Sequence, residues 1–282
     1  MGSDSGGAAQ LWEVAFGGRP IAVPVPVPES RLGKWLRAVV LGAAGFYAAA
    51  QTQLEDITRQ SAAPETGAEE ALAYSTWGSL QRQCGRYQTA AVLDGRALAI
   101  VTGRAPSSRN VIQPADGASA LCREAWCDAI TGLAADAIGA HRFAVAGRLL
   151  DRLDVVVDGR RHEGDLWRQR LRRDWVRCEL ALYSGDPGAG RRWADAAVER
   201  ARSRSSVRHQ IKSELMAAAA MHAGANPAGA AALAWRCLEA AESHDLYPLA
   251  WASAQLLSND PAANERSAAF ARVLRRRGGV FA

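Results

Sequence analysis

Lysine is almost missing from this chain. Of 34 basic residues only Lys34 and Lys212 are Lys; the rest are Arg. Such a bias is that of a GC-rich coding sequence, and by itself it does not mark guanidinium groups chosen for bidentate anion contacts. Cysteine is scarce, at five, and odd in number. Scattered through helical patterns, Cys84, Cys122, Cys127, Cys178 and Cys237 exclude a disulfide framework, and Cys178 and Cys237 read as small buried hydrophobes. Long apolar runs are missing too. The longest, Ala38 to Ala50, has 13 residues, too few to span a bilayer. The acidic, Gly-rich start lacks a basic n-region and an apolar h-region, so no secretory leader is expected. β-branched residues are sparse, which argues against strands. These absences predict a cytoplasmic protein with no membrane span.

Catalytic patterns are lacking as well. No Ser/His/Asp or Cys/His arrangement stands out, and no catalytic residue is assigned. Cys122 and Cys127 are five residues apart, about 140° around a helix, so they cannot chelate from one face. No metal and no cofactor are expected. His162, Glu163 and Asp165 share a loop and read as solvated. Gly185 to Gly190, followed by Arg191 and Arg192, has no preceding strand and no Lys-Ser/Thr, so it reads as a structural turn rather than a phosphate loop.

What is present is alanine, about a fifth of the chain, with arginine beside it. Both favour helix, and the fold class is all-α. The net charge of +5 is uneven: residues 151–210 carry 14 basic against 10 acidic groups. That excess is too thin for a dedicated nucleic-acid surface.

Residues 1–30 form an extended N-terminal segment. Leu11, Trp12, Val14 and Phe16 make a short apolar stretch, able to dock on the protein's own groove or on a partner. Pro20, Pro24, Pro26 and Pro28 then set a polyproline-II-like strap. Residues 31–282 form one domain. It opens with a long helix, capped by Ser30 and running to about Gln60, on Trp35, Val39, Ala43, Phe46, Ala50 and Leu54. Helix pairs follow near 68–84 and 87–103, 119–139 and 142–156, 166–183 and 187–203, 206–223 and 227–243, and 246–257 and 261–277. Breaks fall at 61–67, 103–117 and 158–165.

The last pairs repeat. Asp186-Pro187-Gly188-Ala189 recurs 40 residues on as Asn226-Pro227-Ala228-Gly229, and a shorter copy opens at Asp260-Pro261-Ala262-Ala263. Asp or Asn serves as N-cap, and Pro takes the first helical position, where its missing N–H costs nothing. Upstream, Trp167, Leu171, Trp175, Cys178 and Leu182 align with Val207, Ile211, Leu215, Ala218 and His222, which places His222 as a partly buried residue. A period of this length means stacked helix pairs.

Trp77-Gly78, Gly85, Tyr87, Ala90 and Ala97-Leu98 resemble the signature of the tetratricopeptide-repeat (TPR) superfamily, with a second match at Ala134, Phe143 and Ala146. The resemblance covers roughly residues 68–277. It departs from the family in its period of about 40 and in lacking the proline that usually ends a repeat. It implies a TPR-like α-solenoid of antiparallel helix hairpins, and a family that mostly binds proteins and peptides and in some regulators senses ligands.

On helix 166–183 the apolar stripe covers about 80° at 100° per residue. Arg168 and Arg172 flank it on one side, and Arg170, Arg173 and Arg177 on the other. Arg208 and Lys212 stand where Arg168 and Arg172 stand one repeat earlier. Stacked helices would line up these four cations as a clamp for a carboxylate or an acidic peptide. The alternative is a solvated face paired with Asp165, Glu179 and Glu214, worth ~0–1 kcal/mol per pair. The leading expectation is therefore a non-catalytic adaptor or scaffold for a protein or acidic peptide, using a groove with Arg-rich walls. The alternatives are a ligand-sensing regulatory protein that closes on a small anion, and an enzyme of unrecognised class.

Overall fold

The computed structural model describes residues 4–59, 67–103, 118–159 and 165–280. Among them it has helices and no strands: α1 (Asp4–Phe16), α2 (Arg31–Ala43), α3 (Tyr47–Arg59), α4 (Gly67–Gln83), α5 (Tyr87–Thr102), α6 (Ala120–Gly139), α7 (Phe143–Val157), α8 (Trp167–Tyr183), α9 (Pro187–Arg202), α10 (Val207–Ala223), α11 (Pro227–Ser243), α12 (Tyr247–Leu256) and α13 (Pro261–Arg276). The all-α expectation holds. Most of the breaks, with His162 and Glu163, lie outside the described residues.

One turn recurs between consecutive helices. The sixth residue of each turn donates its N–H to the first residue's carbonyl: Phe46 to Leu41, Arg86 to Gln81, Arg142 to Ala137, Asp186 to Ala181, Asn226 to Met221 and Leu246 to Ala241. The residue before each donor has a left-handed backbone: Gly45, Gly85, His141, Gly185, Ala225 and Asp245. This is the Schellman closure, which satisfies a helix's last carbonyls and turns the chain sharply. The next helix starts at once. At α9, α11 and α13 its first N–H groups are met by the predicted caps. Asp186 accepts from Ala189 at 2.8 Å, Asn226 from Gly229 at 3.1 Å, and Asp260 from Ala262 and Ala263 at 2.9 and 3.2 Å.

The same turn corrects two expectations. The long helix from 31 is two helices, α2 and α3, because Gly45 takes φ +81° and lets the chain reverse inside an apolar run. There the 42–46 backbone comes close to Leu274 and Pro248. His222, expected to be partly buried, is exposed in the last turn of α10.

The chain folds into two compact units, residues 54–180 and residues 1–53 with 181–282. In the first, here unit 2, α4, α5, α6 and α7 pack in order, with α6 also against α4. The small residues of the signature are buried at the crossings: Ala90, Ala97, Ala134 and Ala146 are fully covered. In unit 1, α9 to α13 pack in order, and α1 packs on α2. Its two chain segments meet at Arg277. The Arg277 guanidinium lies 3.9 Å over Phe46 and 4.6 Å over Tyr247 and donates to the Ala44 carbonyl at 2.7 Å, while its own carbonyl accepts from the Ala48 N–H at 2.9 Å. The N-terminal apolar stretch is part of α1, with Leu11, Ala15 and Phe16 buried. The strap beyond it is pinned by Arg37, whose Nε donates to the Val25 carbonyl at 3.2 Å.

Candidate functional site: the arginines of α8 and α10

Helix α8 carries buried positions around most of its circumference, Arg168, Gln169, Arg173 and Asp174 among them. A charge in that setting needs a partner. Arg168 finds two on α6, donating to Asp128 at 2.7 Å and Glu124 at 2.9 Å. Burial works against its charged form, but these carboxylates outweigh it and hold the group above its usual value. Arg172 reaches the same Asp128 at 3.5 Å. It has the weaker share: burial, followed by the neighbouring guanidinium groups of Arg168 and Arg82, lowers its pKa against the pull of Asp128.

On the other flank, Asp154 and Asp158, one turn apart on α7 and at its end, pinch Nη1 of Arg173 at 2.6 and 2.8 Å, and Asp174 accepts from Nε at 2.7 Å. Burial opposes the charge here too, and the three carboxylates again overcome it and raise the pKa. Arg177 bonds Asp151 at 2.7 Å and also Asp154. Arg170 donates to the Val157 carbonyl at 2.6 Å and lies 3.8 Å from Asp165. So α8 is fastened to α6 through Arg168 and Arg172, and to α7 through Arg173 and Arg177. The charge-assisted bonds fix the rotation of α8 about its axis as well as its position.

In unit 1, Arg208 and Lys212 are half-buried on α10. The Arg208 guanidinium lies 5.7 Å from the Phe16 ring. Phe16 also meets Trp35 at 5.7 Å and His209 at 6.1 Å between ring centroids, and Trp12 at 4.9 Å edge-on. His209 is buried, with its Nδ1 2.7 Å from the Ser206 hydroxyl. Beside these residues is a cavity of about 30 Å³ lined by Val14, Arg19, Ser206, Arg208 and His244. It has room for a water or two, well short of a metabolite.

Asp165, expected from the sequence as a partner, lies beside Arg170, but the carboxylates that hold the buried Arg168 and Arg173 were missed. Their signal is present but local: Asp128 lies within Cys127-Asp128-Ala129-Ile130. An acidic residue inside an apolar stripe calls for a buried cation somewhere else in the chain. Among the described residues, no group of three or more His, Cys, Asp or Glu is arranged to hold a metal, and no helix is long and apolar enough to cross a membrane. No protein-family model matches the chain, and no curated protein aligns significantly with it.

Proposed function

We propose that the chain is a TPR-like α-solenoid of antiparallel helix hairpins and serves, in the cytoplasm, as a non-catalytic binding module for a protein or an acidic peptide. The observation that carries this reading is the recurring turn. The same Schellman closure joins six pairs of successive helices, and α4 to α7 in unit 2 and α9 to α13 in unit 1 pack in order. Units built this way expose rows of helix faces beyond what a core requires, and such rows are the usual surfaces for peptides and protein partners.

Unit 1 supports the reading with an internal case. The start of α10 already holds a helix, α1, with Phe16 set among Trp35, His209 and Arg208. In this proposal Arg208 and Lys212 on α10 contact the partner. Arg168, Arg170, Arg172, Arg173 and Arg177 act mainly by fixing α8. The test is affinity capture with the wild-type chain and with an Arg208→Glu/Lys212→Glu variant shown to be folded by circular dichroism. A captured partner should bind the variant about tenfold or more weakly, a loss of about 1.4 kcal/mol. Equal affinity would remove the α10 face from the proposal. Failure of the wild-type chain to retain any partner would overturn the binding-module reading.

A further inference from the structure

Another buried cluster in unit 2 takes no part in fastening α8. Asp94 on α5 and Asp136 on α6 are 0% and 3% exposed. Both accept from one nitrogen, Nη1 of Arg82 on α4, at 2.5 and 2.8 Å, and the same nitrogen approaches the Gly132 carbonyl at 3.3 Å. Held by one nitrogen, the two carboxyl groups are close neighbours. The remaining oxygens, Oδ1 of Asp94 and Oδ2 of Asp136, are buried and receive no donor from the described residues. Fully ionised, the cluster would hold two negative charges and one positive charge, with two acceptors short of a hydrogen.

The surroundings do not supply the difference. Arg172 of α8 also acts on Asp94, but it is ion-paired with Asp128 of α6 at 3.5 Å. The helices close directly on the Asp94 carboxyl group. A Cβ at Gly132 would overlap it, and one at Gly78 would come within 2.7 Å. Two carboxylates this close in a dry, low-dielectric setting do not both ionise, and one proton held by the pair balances the single charge of Arg82. The electrostatics agree. Burial pushes Asp94 up to about 7, with Arg82 opposing and the Asp136 charge adding to the rise. Burial likewise raises Asp136.

We propose that Asp94 and Asp136 form a proton-binding site that holds one proton between two carboxyl groups, and that its release to bulk water loosens the packing of α4, α5 and α6. The sign follows from linkage. In the unfolded chain both groups titrate in the ordinary carboxylate range, so above that range only the folded protein holds the proton. The stability it confers is full at acid pH and is lost as pH rises through about 7. The unfolding equilibrium constant should rise by about tenfold per pH unit across that window and then level off.

The test uses the full chain. Infrared difference spectra with isotope-labelled aspartate should show a protonated-carboxyl band at pH 6 that fades as pH is raised through neutrality. The band should vanish in both D94N and D136N, since the single carboxylate left beside Arg82 ionises. D94N should also lose the pH dependence of urea unfolding that the wild type shows over this window. If the variants do not fold, the wild-type band and its titration decide alone. No band at pH 6, a band that persists in both folded variants, or a wild-type slope unchanged in D94N would each overturn the proposal.

Discussion

The buried ionisable acids and arginines of the described residues, Asp94, Asp128, Asp136, Arg168, Arg173 and Asp174, all belong to unit 2. Unit 1 buries serines and a histidine instead: Ser206, His209, Ser213, Ser253 and Ser267. These satisfy themselves nearby. Ser213 donates to the His209 carbonyl and Ser253 to the Leu249 carbonyl, each at 2.8 Å one turn back, and Ser206 pairs with His209. The core cluster beside them is alanine and leucine with Ile211, Cys237 and Phe270. The two units share one turn chemistry and fill their interiors by different physics. Apolar packing is short-ranged and indifferent to pH. Buried ion pairs add little net stability over a hydrophobic filling, but they penalise every wrong register. Unit 2 should therefore be the pH-sensitive and the more exactingly specified part of the molecule.

The change that should break this contrast most severely is Arg82→Met. It strands two buried carboxyl groups, and leaving buried charge uncompensated costs ~3–5 kcal/mol. Urea unfolding should show that loss, smaller at pH 5 than at pH 8, because protonation at acid pH relieves the repulsion that Arg82 would otherwise offset. A loss equal at both pH values would mean that Asp94 and Asp136 do not titrate with folding.

Leu238→Ala is the matching change in unit 1. Leu238 is fully buried on α11, and truncation there should cost about 3 kcal/mol through lost transfer energy and the cavity left behind. The same measurement at pH 5 and pH 8 should give one value. A pH-dependent loss would mean that the units are not separable in this way.

Arg277→Ala sharpens the comparison, since unit 1 does use an arginine, at its seam rather than in its core. The guanidinium stacks on Phe46 and Tyr247 and donates to Ala44. Cation–π contacts and a charge-assisted bond together suggest a loss of about 2 kcal/mol. Arg277→Lys should fall between, because an ammonium keeps the charge without the planar stack. Thermal melts of the three proteins check the order.

These differences were unequally legible in the sequence. The caps at Asp186, Asn226 and Asp260, and the helix limits around them, follow from residues within one turn of each other, so local reading places them closely. Gly45 was passed over because one glycine in an apolar run is tolerated in a helix, and only the packing against Leu274 and Pro248 decides that it turns. Arg168 was read as a flank of a narrow apolar stripe. It is buried because α6 covers that flank, with Glu124 and Asp128 arriving from about 40 residues away. Pairings at that distance leave no periodic trace. The arginine rows were visible in the sequence, and the carboxylates that define their role were not.

The smallest effect concerns what both units share. Three of the recurring turns put glycine at the left-handed position, at Gly45, Gly85 and Gly185, and three use His141, Ala225 and Asp245. Ala225 has the least reason to be there: its φ is +62°, and a methyl side chain offers no hydrogen bond to offset the clash of Cβ with the backbone, which costs roughly 1–2 kcal/mol. His141 and Asp245 have polar side chains better suited to local bonding. Ala225→Gly should stabilise the protein, but by less than the relieved strain, because glycine raises the entropy of the unfolded chain by ~0.5–1 kcal/mol. A gain of up to about 1 kcal/mol is expected, independent of pH, read as a raised urea midpoint with an unchanged slope. A lowered midpoint would mean that the left-handed residue is not under strain at this turn, and that the shared closure is set by packing rather than by its backbone geometry.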